Sequence, residues 1–143
     1  MAKFTPRDAS WDRKVRESFE RQAFMKHLGA RIVELAPGRV VLELDARPEL
    51  TQQDGYLHAG VSASIADSAG GYAAYSLFPA GTGVLSVEFK INLLAPARGS
   101  RLRAVGEVLK SGRTLTICKL EVYAVTTDDV LCAAGQQTLI CQR

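Results

Sequence analysis

The first apolar pattern in the chain has the period of a helix. Between residues 10 and 29, apolar side chains recur about one turn apart, with charged residues between them. The apolar set is Trp11, Val15, Phe19, Phe24, Met25 and Leu28. This pattern predicts one amphipathic helix that ends near Gly29 and packs on the rest of the protein.

Two further apolar segments precede the middle of the chain. Within residues 30–46, two apolar runs flank Pro37-Gly38, a turn signal that predicts a β-hairpin. The next apolar segment, residues 58–78, is too long and too rich in alanine for a strand. It predicts a helix that is buried on most of its sides.

From Gly83 onwards the hydrophobic period is two, which is typical of a half-buried strand. This strand is expected to stop before Pro96, and its parity places Ser86 on the face opposite Phe89 and Ile91. Three further strands are predicted over residues 101–110, 114–125 and 130–142. The short turns between them favour antiparallel neighbours.

The predicted order is therefore one helix, two strands, one long buried helix and four strands. A single antiparallel sheet that curls around the buried helix satisfies this order, because the helix needs cover and the sheet has an apolar face to give. We expect an α+β fold in one domain, residues 1–143. Residues 1–28 form its N-terminal helical segment and residues 29–143 its core.

Composition narrows the class of protein. The chain has 143 residues, 47% hydrophobic and 23% charged, which is typical of one globular domain. Its net charge of +3 is too small to suggest a nucleic-acid partner. Residues 59–78 carry Asp67 at their middle, with several serines and glycines, so no membrane partner is expected either.

Cysteine usage and the N-terminus bear on the compartment. The three cysteines lack a CxxC pair, which favours reduced thiols in the core, and no metal-ligand spacing is present. The charged N-terminus lacks the apolar run of a signal peptide. We therefore expect a cytoplasmic protein without a metal.

The buried helix carries the candidate chemistry. Asp67 is the only formally charged residue between Asp54 and Glu88, although a buried carboxylate is costly unless it is paired or used. Such an aspartate can also be an N-cap, a core hydrogen-bond partner or a subunit-packing residue. At the start of the helix, His58 near the N-cap leaves the following N–H groups without intrahelical partners, a site for developing negative charge. These N–H groups belong to Ala59, Gly60 and Val61.

The spacing of these groups predicts self-association. Asp67 follows Ala59 by eight residues, which is roughly 12 Å along a helix, whereas reacting atoms must approach to about 3–3.5 Å. One chain therefore cannot bring both groups to one substrate atom. Two copies of the helix packed antiparallel can do so, which predicts a dimer with two composite sites.

Two segments of the sequence resemble a known family. Residues 55–74, GYLHAGVSASIADSAGGYAA, and residues 86–115, SVEFKINLLAPARGSRLRAVGEVLKSGRTL, are similar to hotdog-fold acyl-CoA thioesterases of the phenylacetate-pathway (PaaI) type. The similarity covers about residues 28 to 140. It implies a hotdog fold and dimers that often pair into tetramers. It also implies hydrolysis of an acyl-CoA at the dimer interface, with coenzyme A as part of the substrate and no other cofactor.

The resemblance also implies roles for individual residues. Asp67 corresponds to the acid that activates water or attacks the carbonyl, and the N–H of Ala59 to the group that polarises the thioester. Gln52 stands where the family often has an asparagine, and Ser86 carries the hydroxyl that assists the acid. His58 is expected to fix the loop. The expected catalytic set is Gln52, His58, Ala59, Gly60, Asp67 and Ser86.

Basic residues near the third and fourth strands are candidates for the phosphates of coenzyme A. Between positions 98 and 113 there are five basic residues and one acid. The expected coenzyme A contacts are Arg98, Arg101, Lys110, Ser111, Gly112 and Arg113. The expected acyl-pocket residues are Phe19, Phe24, Tyr72 and Tyr75.

These features lead to one leading function and two alternatives. The leading prediction is a thioesterase that acts on an aryl- or medium-chain acyl-CoA. Hydration or dehydration of a β-hydroxyacyl thioester, with His58 as the acid or base, is the alternative on the same fold. A non-catalytic acyl-CoA binding module is the alternative from another class.

Overall fold

The computed structural model describes residues 3–143 and contains three helices and six strands in that range. The helices are α1 (Trp11–Glu20), α2 (Ala23–Leu28) and α3 (Ala59–Tyr75). The strands are β1 (Arg31–Ala36), β2 (Arg39–Asp45), β3 (Gly83–Leu93), β4 (Arg101–Ser111), β5 (Leu115–Val125) and β6 (Asp129–Gln142). A short 3-10 turn, Pro48–Leu50, follows β2.

All six strands form one antiparallel sheet in the order β1-β2-β4-β5-β6-β3. The sheet packs around α3, whose apolar residues Ile65, Ala69 and Ala73 are fully buried. β4 crosses the helix in backbone contact, because a side chain at Gly106 would overlap the backbone of Ala69. The predicted α+β arrangement of a long helix inside an antiparallel sheet is confirmed.

The prediction of one continuous N-terminal helix is wrong. Arg21 and Gln22 separate α1 from α2, and Gln22 has an extended backbone with φ −80° and ψ 93°. The Gln22 side chain accepts a hydrogen bond from Ser68 of α3 at 3.0 Å. Because the apolar residues Phe19 and Phe24 are five positions apart, a single straight helix would not keep both on one face.

The predicted parity of β3 is also wrong at one position. The register of β3 against β6 shifts between Ser86 and Glu88, so Val87 forms a β-bulge. A bulge adds one residue to a strand and therefore reverses the face of every residue on one side of it. Ser86 consequently lies on the same face as Phe89, directed towards α3, whereas Glu88 lies on the outer face.

Two further features of the described residues concern the character of the helices and the state of the cysteines. None of the helices within residues 3–143 combines the length and the apolar character that a membrane crossing requires. The three cysteines are buried and unpaired, and burial raises the pKa of the Cys118 thiol to about 12.

Thr116 provides a test of the core packing. Its side chain is fully buried on β5, and its hydroxyl has no hydrogen-bond partner among residues 3–143. Since an unsatisfied buried hydroxyl costs about 1–3 kcal/mol, Thr116→Val is expected to raise the free energy of unfolding by about 1 kcal/mol. Urea denaturation measures this change. Thr138→Val, where the hydroxyl bonds Glu88 at 3.4 Å, is the control and should give no gain. A lower free energy of unfolding for Thr116→Val would mean that the wild-type Thr116 hydroxyl has a hydrogen-bond partner in solution.

Candidate active site

Three side chains from three elements meet at the middle of α3. Ser86 Oγ donates a hydrogen bond to Asp67 Oδ1 at 2.5 Å, and Gln137 Nε2 donates to the same oxygen at 2.6 Å. Gln137 Nε2 also lies 3.0 Å from Ser86 Oγ. The three residues therefore form a closed hydrogen-bonded cluster, which we call the Asp67 cluster.

The Asp67 cluster leaves one carboxylate oxygen available. Both side-chain hydrogen bonds to Asp67 end on Oδ1, and within residues 3–143 no group donates to Oδ2. Asp67 is half-buried at the wall of a cavity of about 700 Å³. Because the Ser86 proton is used on Oδ1, Ser86 orients the carboxylate, and Oδ2 is the oxygen that a water molecule or a substrate can reach.

Local structure explains how the cluster forms. The bulge at Val87 turns Ser86 towards α3, and the alternation of β6 turns Gln137 to the same side as the buried Leu139. Sequence reasoning missed Gln137. A signal was present, because a polar residue occupies an inward position of an otherwise apolar strand face, where a buried amide needs a partner.

The N-terminus of α3 has fewer free donors than the sequence suggested. His58 Nδ1 accepts from Gly60 N–H at 2.8 Å, and His58 carbonyl oxygen accepts from Val61 N–H at 2.9 Å. The expectation of three unpartnered N–H groups is therefore wrong for Gly60 and Val61, because His58 caps them. The N–H of Ala59 has no hydrogen-bond partner in the described chain and is exposed.

Gln52 lies beside the same helix end. Its Oε1 accepts from the backbone N–H groups of Asp54 at 2.5 Å and Tyr56 at 3.2 Å. This leaves Gln52 Nε2 as a donor towards a cavity of about 450 Å³ that Ala59 also lines. That cavity and the one beside Asp67 share no lining residue. Within one chain, the Asp67 carboxylate and the donors of Ala59 and Gln52 therefore lie at separate cavities.

Aromatic residues line the cavity beside Asp67. Tyr72 and Tyr75 form part of its wall, and Phe19 packs edge-on against Tyr72 with ring centroids 5.7 Å apart. Burial raises the pKa of both tyrosines, so their hydroxyls stay neutral, and Tyr72 shares a hydrogen bond with Ser18 at 3.2 Å. Phe24 does not belong to this wall: it is 53% exposed and lies near His58.

The basic residues that are candidates for binding the phosphates of coenzyme A lie in separate parts of the structure. Arg98 stacks on the ring of Tyr56, 4.5 Å from its centroid, near the Ala59 cavity. Arg101 faces the outer side of the sheet, where its Nε lies 3.9 Å from Glu43, and its contact with a phosphate stays a prediction. The turn at residues 110–113 lies at the other end of β4, roughly 30 Å from Arg101 at ~3.3 Å per residue.

The free groups at the two cavities can take part in a small number of chemical steps. Asp67 Oδ2 can accept a proton or attack a carbonyl carbon, and Ala59 N–H with Gln52 Nε2 can donate to a carbonyl oxygen. Within residues 3–143 no group of three or more His, Cys, Asp or Glu side chains is placed to hold a metal ion.

Comparisons with known proteins agree with this chemistry. Residues 54–131 match the model of the thioesterase superfamily. A crystal structure of a thioesterase family protein from Silicibacter pomeroyi superimposes with a TM-score of 0.91 and 47% identity, over 92% of this chain and 98% of that one. Human acyl-coenzyme A thioesterase 13 is 31% identical over 108 residues, 75% of this chain and 76% of that protein.

The PaaI protein of E. coli is a more distant structural relative. Its TM-score is 0.82 over 92% of both chains, but its identity of 21% shows a shared fold alone. The predicted hotdog fold is thereby confirmed, whereas assignment to the PaaI type stays a prediction. The chain belongs to the thioesterase superfamily and is a hotdog-fold thioester hydrolase.

Proposed function

We propose that this protein hydrolyses the thioester bond of an acyl-coenzyme A at two composite sites, each formed by two copies of the chain. One observation carries the proposal: Asp67 and Ala59, which bear the two free groups of α3, are separated by a rise of about 12 Å along one helix. They can meet one substrate only if a second copy brings its α3 alongside in the opposite direction. The activity of the human relative, as its name gives it, supports the choice of acyl-coenzyme A.

The proposed reaction uses all three free groups, those of Ala59, Gln52 and Asp67. Ala59 N–H and Gln52 Nε2 of one copy donate to the thioester carbonyl oxygen. Asp67 Oδ2 of the other copy takes a proton from water as the water oxygen bonds to the carbonyl carbon. The tetrahedral intermediate then expels the coenzyme A sulfur as its C–S bond breaks. The sulfur receives the proton from Asp67, and the free acid remains.

The uncovered side of α3 supports the dimer. Most of this helix is buried, but Gly60, Ala63, Ser64 and Asp67 form a stripe that is exposed or only partly covered. β3 lies beside it at the edge of the sheet, and the long exposed edge of a strand favours pairing with another copy. Pairing of two such dimers into a tetramer, which the resemblance implies, is tested by the same mass measurement as the dimer.

The dimer prediction is tested at Phe89, which is 42% exposed on the α3-facing side of β3. An uncompensated charge in an interface costs about 3 kcal/mol, so Phe89→Asp should raise the dissociation constant at least about 100-fold. Light scattering at micromolar protein concentration should then give the molecular mass of a monomer. The rate of thiol release should fall together with this mass.

Val33 provides the matched control for that variant. It is 46% exposed on β1, at the opposite edge of the sheet. Val33→Asp should therefore keep both the mass and the activity of the wild type. A Phe89→Asp protein that remains a dimer, or a monomer that keeps full activity, would contradict the composite site.

The placement of the basic residues supports coenzyme A binding by both copies. Arg98 lies near the Ala59 cavity, whereas the turn at residues 110–113 is joined to the end of β6 by the bond from Cys141 N–H to Thr114 carbonyl oxygen. Gln142, next in β6, lines the cavity beside Asp67. In an antiparallel dimer, Arg98 of one copy and the turn of the other therefore serve the same composite site.

The cavity beside Asp67 favours an aryl acyl group over a straight chain. Tyr72 and Tyr75 offer ring edges and faces, and an aromatic guest gains from edge-to-face packing beyond its buried area. Ser18 and Arg21 add polar groups to the same wall, which suits a ring that carries a hydroxyl.

Thiol release with a chromogenic disulfide tests the proposal on phenylacetyl-, hydroxybenzoyl- and straight-chain acyl-CoAs. We expect the aryl thioesters to give the highest kcat/KM. Faster cleavage of medium-length straight chains would overturn the aryl preference. Binding of coenzyme A without thiol release would favour a binding module. Addition of water to an enoyl thioester would favour a hydratase.

A further inference from the structure

We propose that Gln137 is a positioning residue, which fixes the direction of the Ser86 hydroxyl and thereby selects Oδ2 of Asp67 as the reactive oxygen. This inference rests on the proposed function of Asp67. The Gln137 side chain is 1% exposed, and it lies on β6, 70 residues from Asp67 in sequence. It bonds Asp67 Oδ1 at 2.6 Å, Ser86 Oγ at 3.0 Å and the Asp67 carbonyl oxygen at 3.3 Å.

The hydrogens that each group carries determine which group donates in the Asp67 cluster. An amide nitrogen carries two hydrogens and accepts none, so Gln137 Nε2 can only donate, and its three acceptors share these two hydrogens: Asp67 Oδ1, Ser86 Oγ and the Asp67 carbonyl oxygen. Ser86 has a single proton, and the Gln137 donor occupies one side of its oxygen. The Ser86 proton is thus directed to Asp67 Oδ1. With two donors on Oδ1, the carboxylate cannot rotate without losing both bonds, and Oδ2 stays at the cavity.

The other end of the Gln137 amide shows what holds it in this orientation. Oε1 is buried and has no donor among residues 3–143. The reversed orientation would place this oxygen against the Asp67 carboxylate, where two acceptors repel. The amide is therefore held through its Nε2 bonds to Asp67 and Ser86, and an ionised Asp67 favours the arrangement that keeps Oδ2 free.

Gly70 supports the assignment from the helix side. A methyl group at this position would overlap Gln137 Oε1 and would lie 2.6 Å from Leu120 Cδ2. The amide thus fills the space that the missing side chain of Gly70 leaves. α3 and β6 therefore pack closely at this point, with the Gln137 amide between them.

Two substitutions at Gln137 test the proposal by steady-state thiol release. Gln137→Met keeps the approximate volume and removes both donors. We expect its kcat to fall about 10- to 100-fold, the usual effect of removing a partner that orients a reactive group, with KM within about twofold. Gln137→Glu places a second carboxyl group beside Asp67. Because two adjacent carboxylates resist joint ionisation, the acid limb of its kcat profile should move to higher pH.

Gln136→Met is the matched control, since Gln136 is the neighbouring glutamine and points to the exposed outer face. It should keep the kcat, KM and pH profile of the wild type. Thermal melting identifies a variant that does not fold. If Gln137→Met is unfolded, the pH profile of Gln137→Glu decides the question alone.

The outcomes separate this inference from the proposed function. Wild-type kcat in Gln137→Met, or an unmoved acid limb in Gln137→Glu, would overturn the positioning role. If Asp67→Asn is inactive in the same assay, the proposed function survives that result. If Asp67→Asn also keeps full activity, the proposed function itself fails.

Discussion

Asp67→Asn is expected to lower kcat for thioester hydrolysis by about 10²- to 10⁴-fold, the usual contribution of a positioned general base. The change is nearly isosteric. The asparagine Oδ1 can still accept from Ser86 and Gln137, so the Asp67 cluster keeps its hydrogen bonds. Its Nδ2 then replaces the free Oδ2 and cannot accept a proton from water.

The measurement is thiol release under saturating acyl-CoA, with thermal melting of each protein beside it. Asp128→Asn, at an exposed position in the turn between β5 and β6, should have wild-type kcat. Full turnover by Asp67→Asn would show that the carboxylate has a packing or ligand-binding role instead.

Ala59→Pro is expected to reduce kcat about 10²- to 10³-fold, as removal of one oxyanion donor does. Ala59 is the first residue of α3, where proline is favoured because its missing N–H has no intrahelical partner. The residue before it, His58, already has φ −65° and ψ 141°, the extended conformation that proline requires of its predecessor. The variant therefore replaces the donor hydrogen with the ring Cδ of proline at little cost to the helix.

Ala59→Gly is the control for that change, because it keeps the N–H and should keep the activity. Co-expression of the Asp67→Asn and Ala59→Pro chains gives a further test. Half of the dimers are mixed, and each mixed dimer has one intact composite site, so about a quarter of wild-type activity should return. No recovery in isolated mixed dimers would mean that the two groups do not act across the interface.

Much of the architecture could be predicted because it depends on local periodicity. The change from a helical period to a period of two at Gly83 reflects which side of each element is buried, and the Pro37-Gly38 turn separates β1 from β2. The helical candidate at residues 58–78 was recognisable because its length and alanine content do not suit a strand. Each of these features lies within its own helix, strand or turn, so it can be recognised without knowing which distant residues are in contact.

Other features depend on contacts that local patterns do not contain. The bulge at Val87 has no side-chain signature, so the parity argument placed Ser86 on the wrong face. Gln137 was missed because its partner Asp67 lies 70 residues away. Arg101 has the charge that a phosphate needs, but only the register of β2 against β4, which pairs Arg101 with Asp45 and Arg103 with Glu43, shows that carboxylates lie beside it.

The close fit at Gly70 limits how this protein can be made more thermostable. Alanine in place of a helical glycine commonly gains about 1 kcal/mol, and α3 has adjacent glycines at 70 and 71. At Gly71 a methyl group would lie 3.7 Å from Leu139 Cδ2, an ordinary contact. At Gly70 it would displace the Gln137 amide. The two positions look equivalent in the sequence, yet helix stabilisation at Gly70 conflicts with the geometry of the Asp67 carboxylate.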